Sequence, residues 1–439
     1  MSFLPISGIL HSNENFDATA NMNGADAIAP DETDTLAAAV SEINSDEAAL
    51  AAGNDQIDAA AVAADGLETI AEQVSAANEG EGIDENTAAI VEASVESLLK
   101  VARIGVKYKQ LGIPSSESFS VRSNRIALGK ATVEALDVSA KKIWQSIVDA
   151  IKKSIEWVRN FFNKIFGAAE RLERRAKALK DSTTSLTGQP EDGNLENDSL
   201  YNAVRVNGQP VKVSDIQGLS GEAKKIFAEQ KKLTDEFAKM ELTGTSTPPQ
   251  PAPVGYGMKN ADAAIAKRVT AESDVQVYQT SRFPGESVVY LTVAKSGAGA
   301  SAKDAQDAAN KVRAGSVNVA DKKDEGKNLK VLGIDEIRGF AEAVEKFAGE
   351  VSEYKRGLTE VNNNKTKFIG KLEKFLGKGE GKNADDSKGD AEKKAKATAT
   401  IFRKLMDEPA ASFASHSIRA MSAVLQYAEL SARQYEKKD

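Results

Sequence analysis

Four Ser-x-Glu strings are the residues of this sequence best placed to undergo chemistry: Ser12-Asn13-Glu14, Ser45-Asp46-Glu47, Ser94-Val95-Glu96 and Ser115-Ser116-Glu117, the last followed by Ser118. All four lie in the first 117 residues. There, four of twelve Glu have Ser two positions earlier, against two of twenty-five (Glu156 and Glu222) in the remainder, so the motif is concentrated where a removable segment would be cut. Residues able to perform chemistry are scarce. The chain has no cysteine, which excludes disulfides, thiolate zinc sites, iron–sulfur ligation and cysteine nucleophiles. Imidazole comes only from His11 and His416, at opposite ends, so most histidine-based triads and zinc sites lack parts. Carboxylates are abundant, yet none is framed by Gly turns or aromatic pockets, and Gly-x-Ser-x-Gly and a dinucleotide fingerprint are absent. The Gly/Lys-rich loop at 377–386 and Leu128-Gly-Lys-Ala131 lack the Gly-Lys-Ser/Thr ending of a phosphate loop. No catalytic residue, metal or cofactor is therefore expected, and the protein reads as a non-enzyme.

Charge divides the elements that carry these strings. Residues 1–117 hold twenty-one acids and four bases, a net charge of -17, which leaves +9 for residues 118–439 of a chain whose total is -8. An acidic leader precedes a basic body. Its only aromatics are Phe3, Phe16 and Tyr108, so the composition predicts a mostly disordered segment with weak helices at 34–50, 57–77 and 86–109. A solvated acidic tail with no further role is one reading, and a propeptide is the other. Residues 1–10 lack a basic n-region, unlike a secretory signal, and no stretch approaches eighteen uninterrupted apolar residues.

Beyond the Pro/Ser break at 113–119, residues 118–181 form a basic segment holding both tryptophans. Ile143, Ile147, Ile151, Ile155, Val158, Phe162 and Ile165 follow helical steps, with Trp144 beside them, which predicts an amphipathic helix over 138–180. Its polar side offers Lys152, Lys153 and Arg159, and Arg171, Arg174, Arg175, Lys177 and Lys180 continue the positive charge. Three uses suit such a helix: the core-facing wall of a bundle, a membrane interface, or non-specific contact with DNA phosphates. The bundle is favoured over the membrane, because heptad-like spacing from Ile337 to Leu358 supplies helical partners.

The expected architecture is mainly α, with long amphipathic helices and a C-terminal helical bundle. Five stretches are expected: the leader (1–117), the basic helical segment (118–181), a short helix with loops and a Pro-rich linker (182–256), a small α+β unit with a hairpin (257–330), and a bundle (331–439). In the α+β unit, β-branched runs at 274–280 and 287–293 flank a turn at 282–286, with helices at 261–272 and 302–314. Bundle helices are expected at 365–376, 391–406 and 411–435.

An acidic leader, Ser115-Ser116-Glu117 and a basic helical body beginning at Ser118 together resemble the internal head proteins of large tailed bacteriophages. Residues 141–162 are similar to a helix of such proteins. The resemblance covers roughly residues 1–180. It implies a virion structural protein, made in the host cytoplasm with a propeptide, packed in the capsid interior beside capsid or scaffold-core proteins, and trimmed by a prohead protease. In giant phages that protease cuts after Glu with a small residue two positions before it, which marks Glu117, Glu96, Glu47 and Glu14. A rule preferring Ile or Leu there would select Glu72, Glu85 or Glu92. Removing the leader would leave a net cation able to share a capsid with DNA. The competing reading is a membrane-active effector, ejected or lytic, using helix 140–166.

Overall fold

The computed structural model describes residues 30–103, 107–243, 247–249, 252–296, 301–320, 328–377 and 386–437. Helices dominate: α1 (Pro30–Asn78), α2 (Glu85–Val101), α3 (Arg125–Ser182), α4 (Asp198–Val204), α5 (Val213–Lys239), α6 (Ala263–Val269), α7 (Ala302–Lys311), α8 (Ile334–Gly377), α9 (Asp386–Met406) and α10 (Glu408–Ala432). Two compact units form. One comprises residues 49–154, and the other combines 30–48 with the described residues from 155 onward, so α1 and α3 each contribute to both.

The helices expected within 34–50, 57–77 and 86–109 are present; the unit of residues 49–154 corrects the expectation that they are weak and mostly disordered, and that expectation for residues 1–29 lies outside the described residues. Residues 30–78 and 85–101 are helical, and 67–113 bury Leu67, Ala71, Val74, Ile83, Ala88, Val91, Val95, Leu99, Tyr108 and Ile113 around Phe119, Leu136 and Ala140. Abundant Ala supports helix at little entropic cost, and the apolar residues recur on one face. Asp84 caps α2 by accepting the Thr87 N–H at 2.8 Å. Gly82 turns the chain before it in the left-handed region at φ 77°, and at Gly66 a Cβ would come within 2.7 Å of Leu98. Gly66 thus leaves room for the Leu98 side chain of α2. Short 3-10 turns at Tyr108–Leu111, Ser116–Ser120 and Arg122–Asn124 lead into α3.

In the second unit the core is aromatic. Phe237 of α5, Phe368 of α8 and Phe402 of α9 meet with ring centroids 4.5–5.2 Å apart, and Phe227 stacks on Tyr354 at 4.3 Å. From α3, Phe162 packs edge-on against Tyr354 at 5.3 Å. Such pairs add about 0.5–1.5 kcal/mol beyond their area. α10 is buried along most of its length, from Pro409 to Ser431. α8 is one continuous 44-residue helix rather than the two shorter ones expected, because Val361 and Phe368 bury the stripe through the polar run 359–364.

The expected hairpin is present and larger. Strands β5 (Lys259–Asn260), β6 (Val275–Gln279), β7 (Ser287–Ala294) and β8 (Arg313–Asn318) form an antiparallel meander in that order, in which Val275 pairs with Ala294 and Ser287 with Asn318. Its turn uses Gly285 at φ 86° and Glu286 at φ 60°. The carboxylate of Glu286 is buried and accepts the Gly208 N–H while pairing with Arg282 at 3.2 Å, which offsets the strain of its backbone. Two-residue antiparallel ladders close the loops: β1 (Leu186–Thr187) with β10 (Glu436–Lys437), β2 (Asn194–Leu195) with β9 (Leu329–Lys330), and β3 (Arg205–Val206) with β4 (Gln209–Pro210). Tyr256 and Met258, just past the Pro-rich stretch, are buried, and both flanks of that stretch belong to the same unit.

Candidate processing segment and charged surface

Ser115, Ser116, Glu117 and Ser118 lie at the 3-10 turn Ser116–Ser120, with Glu117 and Ser118 exposed. The turn is well anchored. The Ser118 N–H donates to the Ser115 carbonyl at 3.0 Å, the two hydroxyls are 3.2 Å apart, and Tyr108 Oη donates to the Pro114 carbonyl at 3.0 Å. Two residues after Glu117, Phe119 is 1% exposed in the core. An endopeptidase that binds an extended strand must therefore lift Phe119 out before reaching the Glu117–Ser118 bond.

The other candidate glutamates lie elsewhere. Glu96 is exposed in the middle of α2, and Glu14 lies outside the described residues. Glu47 belongs to α1 and is turned into the second unit, its side chain only 15% exposed. It sits 3.6 Å from His416 Nε2 and 3.7 Å from Arg419 Nη2, both on α10. Burial raises its pKa, opposed by the Ser415 hydroxyl, the Arg419 charge and the Ser412 hydroxyl. Arg419 also donates to Asn44 Oδ1 at 2.6 Å, and Lys164 of α3 pairs with Asp46 at 2.7 Å and Glu42 at 3.5 Å. Residues 42–47 of the acidic leader are thus fastened to the body by charge. Sequence reading missed this, although the buried Ile43, Asn44 and Glu47, within five residues, form a helical face able to dock.

Around His416 the residue types of a hydrolase meet. Ser287 Oγ is 2.9 Å from His416 Nδ1, and Glu47 lies on the far side of the ring. The arrangement does not suit catalysis. Ser287 and His416 are buried, and burial, with a smaller contribution from Arg419, pushes the His416 pKa down to about 3, far from the near-neutral value a general base needs. The cluster is a packed polar junction between sheet and helix.

The amphipathic stripe is turned into protein. Trp144, Ile147, Ile151, Val158, Phe162 and Ile165 are each at most 3% exposed, while Ile143 and Ile155 are partly buried. Of the eight basic candidates, Arg175 requires correction as a surface contact. It is 3% exposed and makes a two-pronged bond to Glu429 of α10, Nε to Oε1 at 3.1 Å and Nη2 to Oε2 at 2.6 Å. Its place on the apolar stripe, three residues after Leu172 and four before Leu179, is the signal that marks it as internal. Lys177 pairs with Glu173 at 2.6 Å and Lys180 with Glu345 at 2.7 Å. Lys152, Lys153, Arg159 and Arg174 are exposed, and Arg171 is partly so. A second buried pair, Lys365 with Asp407, joins α8 to the start of α10.

Among the described residues, no group of His, Cys, Asp or Glu could hold a metal ion, and no described helix is long and apolar enough to cross a membrane. A family model of phiKZ-like phage internal head proteins matches residues 45–430. The chain belongs to that family. The match extends well beyond the first 180 residues that carried the resemblance, through the sheet and the C-terminal helices, and it includes α1 from Ser45 onward and α2. Among curated proteins and solved structures, nothing matches the chain. Family membership makes the protein a structural component of the phage head interior.

Proposed function

We propose that this internal head protein is a non-enzymatic precursor, made in the host cytoplasm, packed into the immature capsid against capsid or scaffold-core proteins, and processed within residues 1–117 by a prohead protease. The observation that carries the reading is the division of charge within a family member: -17 before Ser118 and +9 after it. In a capsid filled with DNA, an acidic leader repels the polyanion and a basic body tolerates it. Exposed Lys153 and Arg159 support weak contact with DNA phosphates that is independent of sequence and sensitive to salt. Burial of the Trp144–Ile165 stripe favours this structural role over a membrane one, since the face an interface would need is already packed.

Mass spectrometry of the protein extracted from mature particles tests the processing. The expected result is a new N-terminus at Ser118 or after another leader glutamate. An intact leader in mature particles overturns it.

A further inference from the structure

The leader is held twice, by features that do not depend on the peptide bond after Glu117. In the unit of residues 49–154, most of the buried cluster, from Leu67 to Ile113, lies before that bond, and Phe119, Leu136 and Ala140 lie after it. In the other unit, Leu36 and Ile43 of α1 are 1% exposed, and Asp46, Asn44 and Glu47 engage Lys164, Arg419 and His416. α1 is a single helix carrying both sets of contacts.

We infer that one cut at Glu117 does not release the leader: α1 and α2 stay docked as part of a separate, non-covalent chain, held by the contacts they already make with α3 and α10. Two linked attachments make escape a double event, because while either holds, the other rebinds at high effective concentration. The cut alone then leaves the net charge of the particle-bound molecule unchanged, and a gain of positive charge requires further cuts within α1 and α2 or their local unfolding. The helices themselves carry glutamates for such cuts, at Glu72, Glu92 and Glu96. This inference rests on the processing proposal only for the identity of the cut.

The experiment uses the full chain with a flexible recognition sequence for a site-specific protease inserted between Ser116 and Glu117. After complete cutting, native mass spectrometry and size-exclusion chromatography at about 0.15 M and 1 M salt are expected to find both fragments in one species eluting with the uncut chain, separating only in denaturant. Free body in native buffer overturns the inference. In the cut protein, exchange of the docked fragment for labelled leader fragment is expected to accelerate tenfold or more with Ile43→Asp, which places a charge at a buried position of α1. Unchanged exchange removes the role assigned to residues 30–48. Melting of the uncut Ile43→Asp chain, expected to remain cooperative, shows that the variant folds. A full-length protein in mature particles would end the processing proposal and leave this result standing, whereas a freed body would do the reverse.

Discussion

In residues 49–154 the buried cluster is built from Ala, Val, Leu and Ile, with Tyr108 and Phe119 as its only rings; in the body, rings of α5, α8 and α9 meet one another directly. The first solution uses small side chains, with Gly66 leaving room for the Leu98 side chain, and gains little area per residue. The second buries large aromatic surfaces against one another. Low aromatic content therefore describes the kind of core a segment builds, provided that a complementary helix is supplied. For α1 and α2 that helix is the start of α3, which lies beyond the leader.

The largest loss of stability is expected in the body. Phe402→Ala removes the ring between Phe237 and Phe368, and a loss of about 3–5 kcal/mol in urea unfolding is expected. A loss near 1 kcal/mol would mean that the aromatic cluster relaxes as readily as an aliphatic one. The matching change in the Ala-rich unit is Leu67→Ala, which should cost about 2–3 kcal/mol, the low end of the range, because small neighbours let the helices close on the gap. Hydrogen exchange of the α2 amides reports it.

The smallest effect comes from the junction where α1 meets α10. His416 has a folded pKa of about 3 against an ordinary 6.5, so the unfolded chain binds the extra proton and stability falls as pH drops from about 6.5 toward 3, by at most about 1.4 kcal/mol per pH unit. Glu47, whose folded pKa is raised, acts in the opposite sense at the acid end: it takes up its proton more readily folded than unfolded and flattens the decline. His416→Gln should reduce the slope between pH 6.5 and 5 in thermal melts. An unchanged slope would assign the acid sensitivity to other carboxylates.

Much of this was legible in the chain itself. Helical spacing located α3 and most of α8, and the β-branched runs about the turn at 282–286 located β6 and β7. Helix in the leader was legible and its packing was not, because Leu67 and Val95 share a buried cluster with Leu136 and Ala140, a long way along the sequence, and no local composition reveals such a partner. Arg175 was read by charge when its position on an apolar stripe was the better guide; it is buried against the carboxylate of Glu429. For the processing segment the motif was readable and its presentation was not, since Phe119 is buried among residues distant in the sequence.

The position of α10 in the chain bears on how the protein is born. This most enclosed helix is translated after every other helix of the body, and β10 must return to β1, some 250 residues earlier. On the ribosome, the Ala-rich helices through the first part of α3 can close around their own cluster while most of the aromatic body is still unmade. The body must then wait for its last helix with its rings uncovered, a period in which chaperone binding, or early capture by a neighbouring chain in the growing core, would protect it.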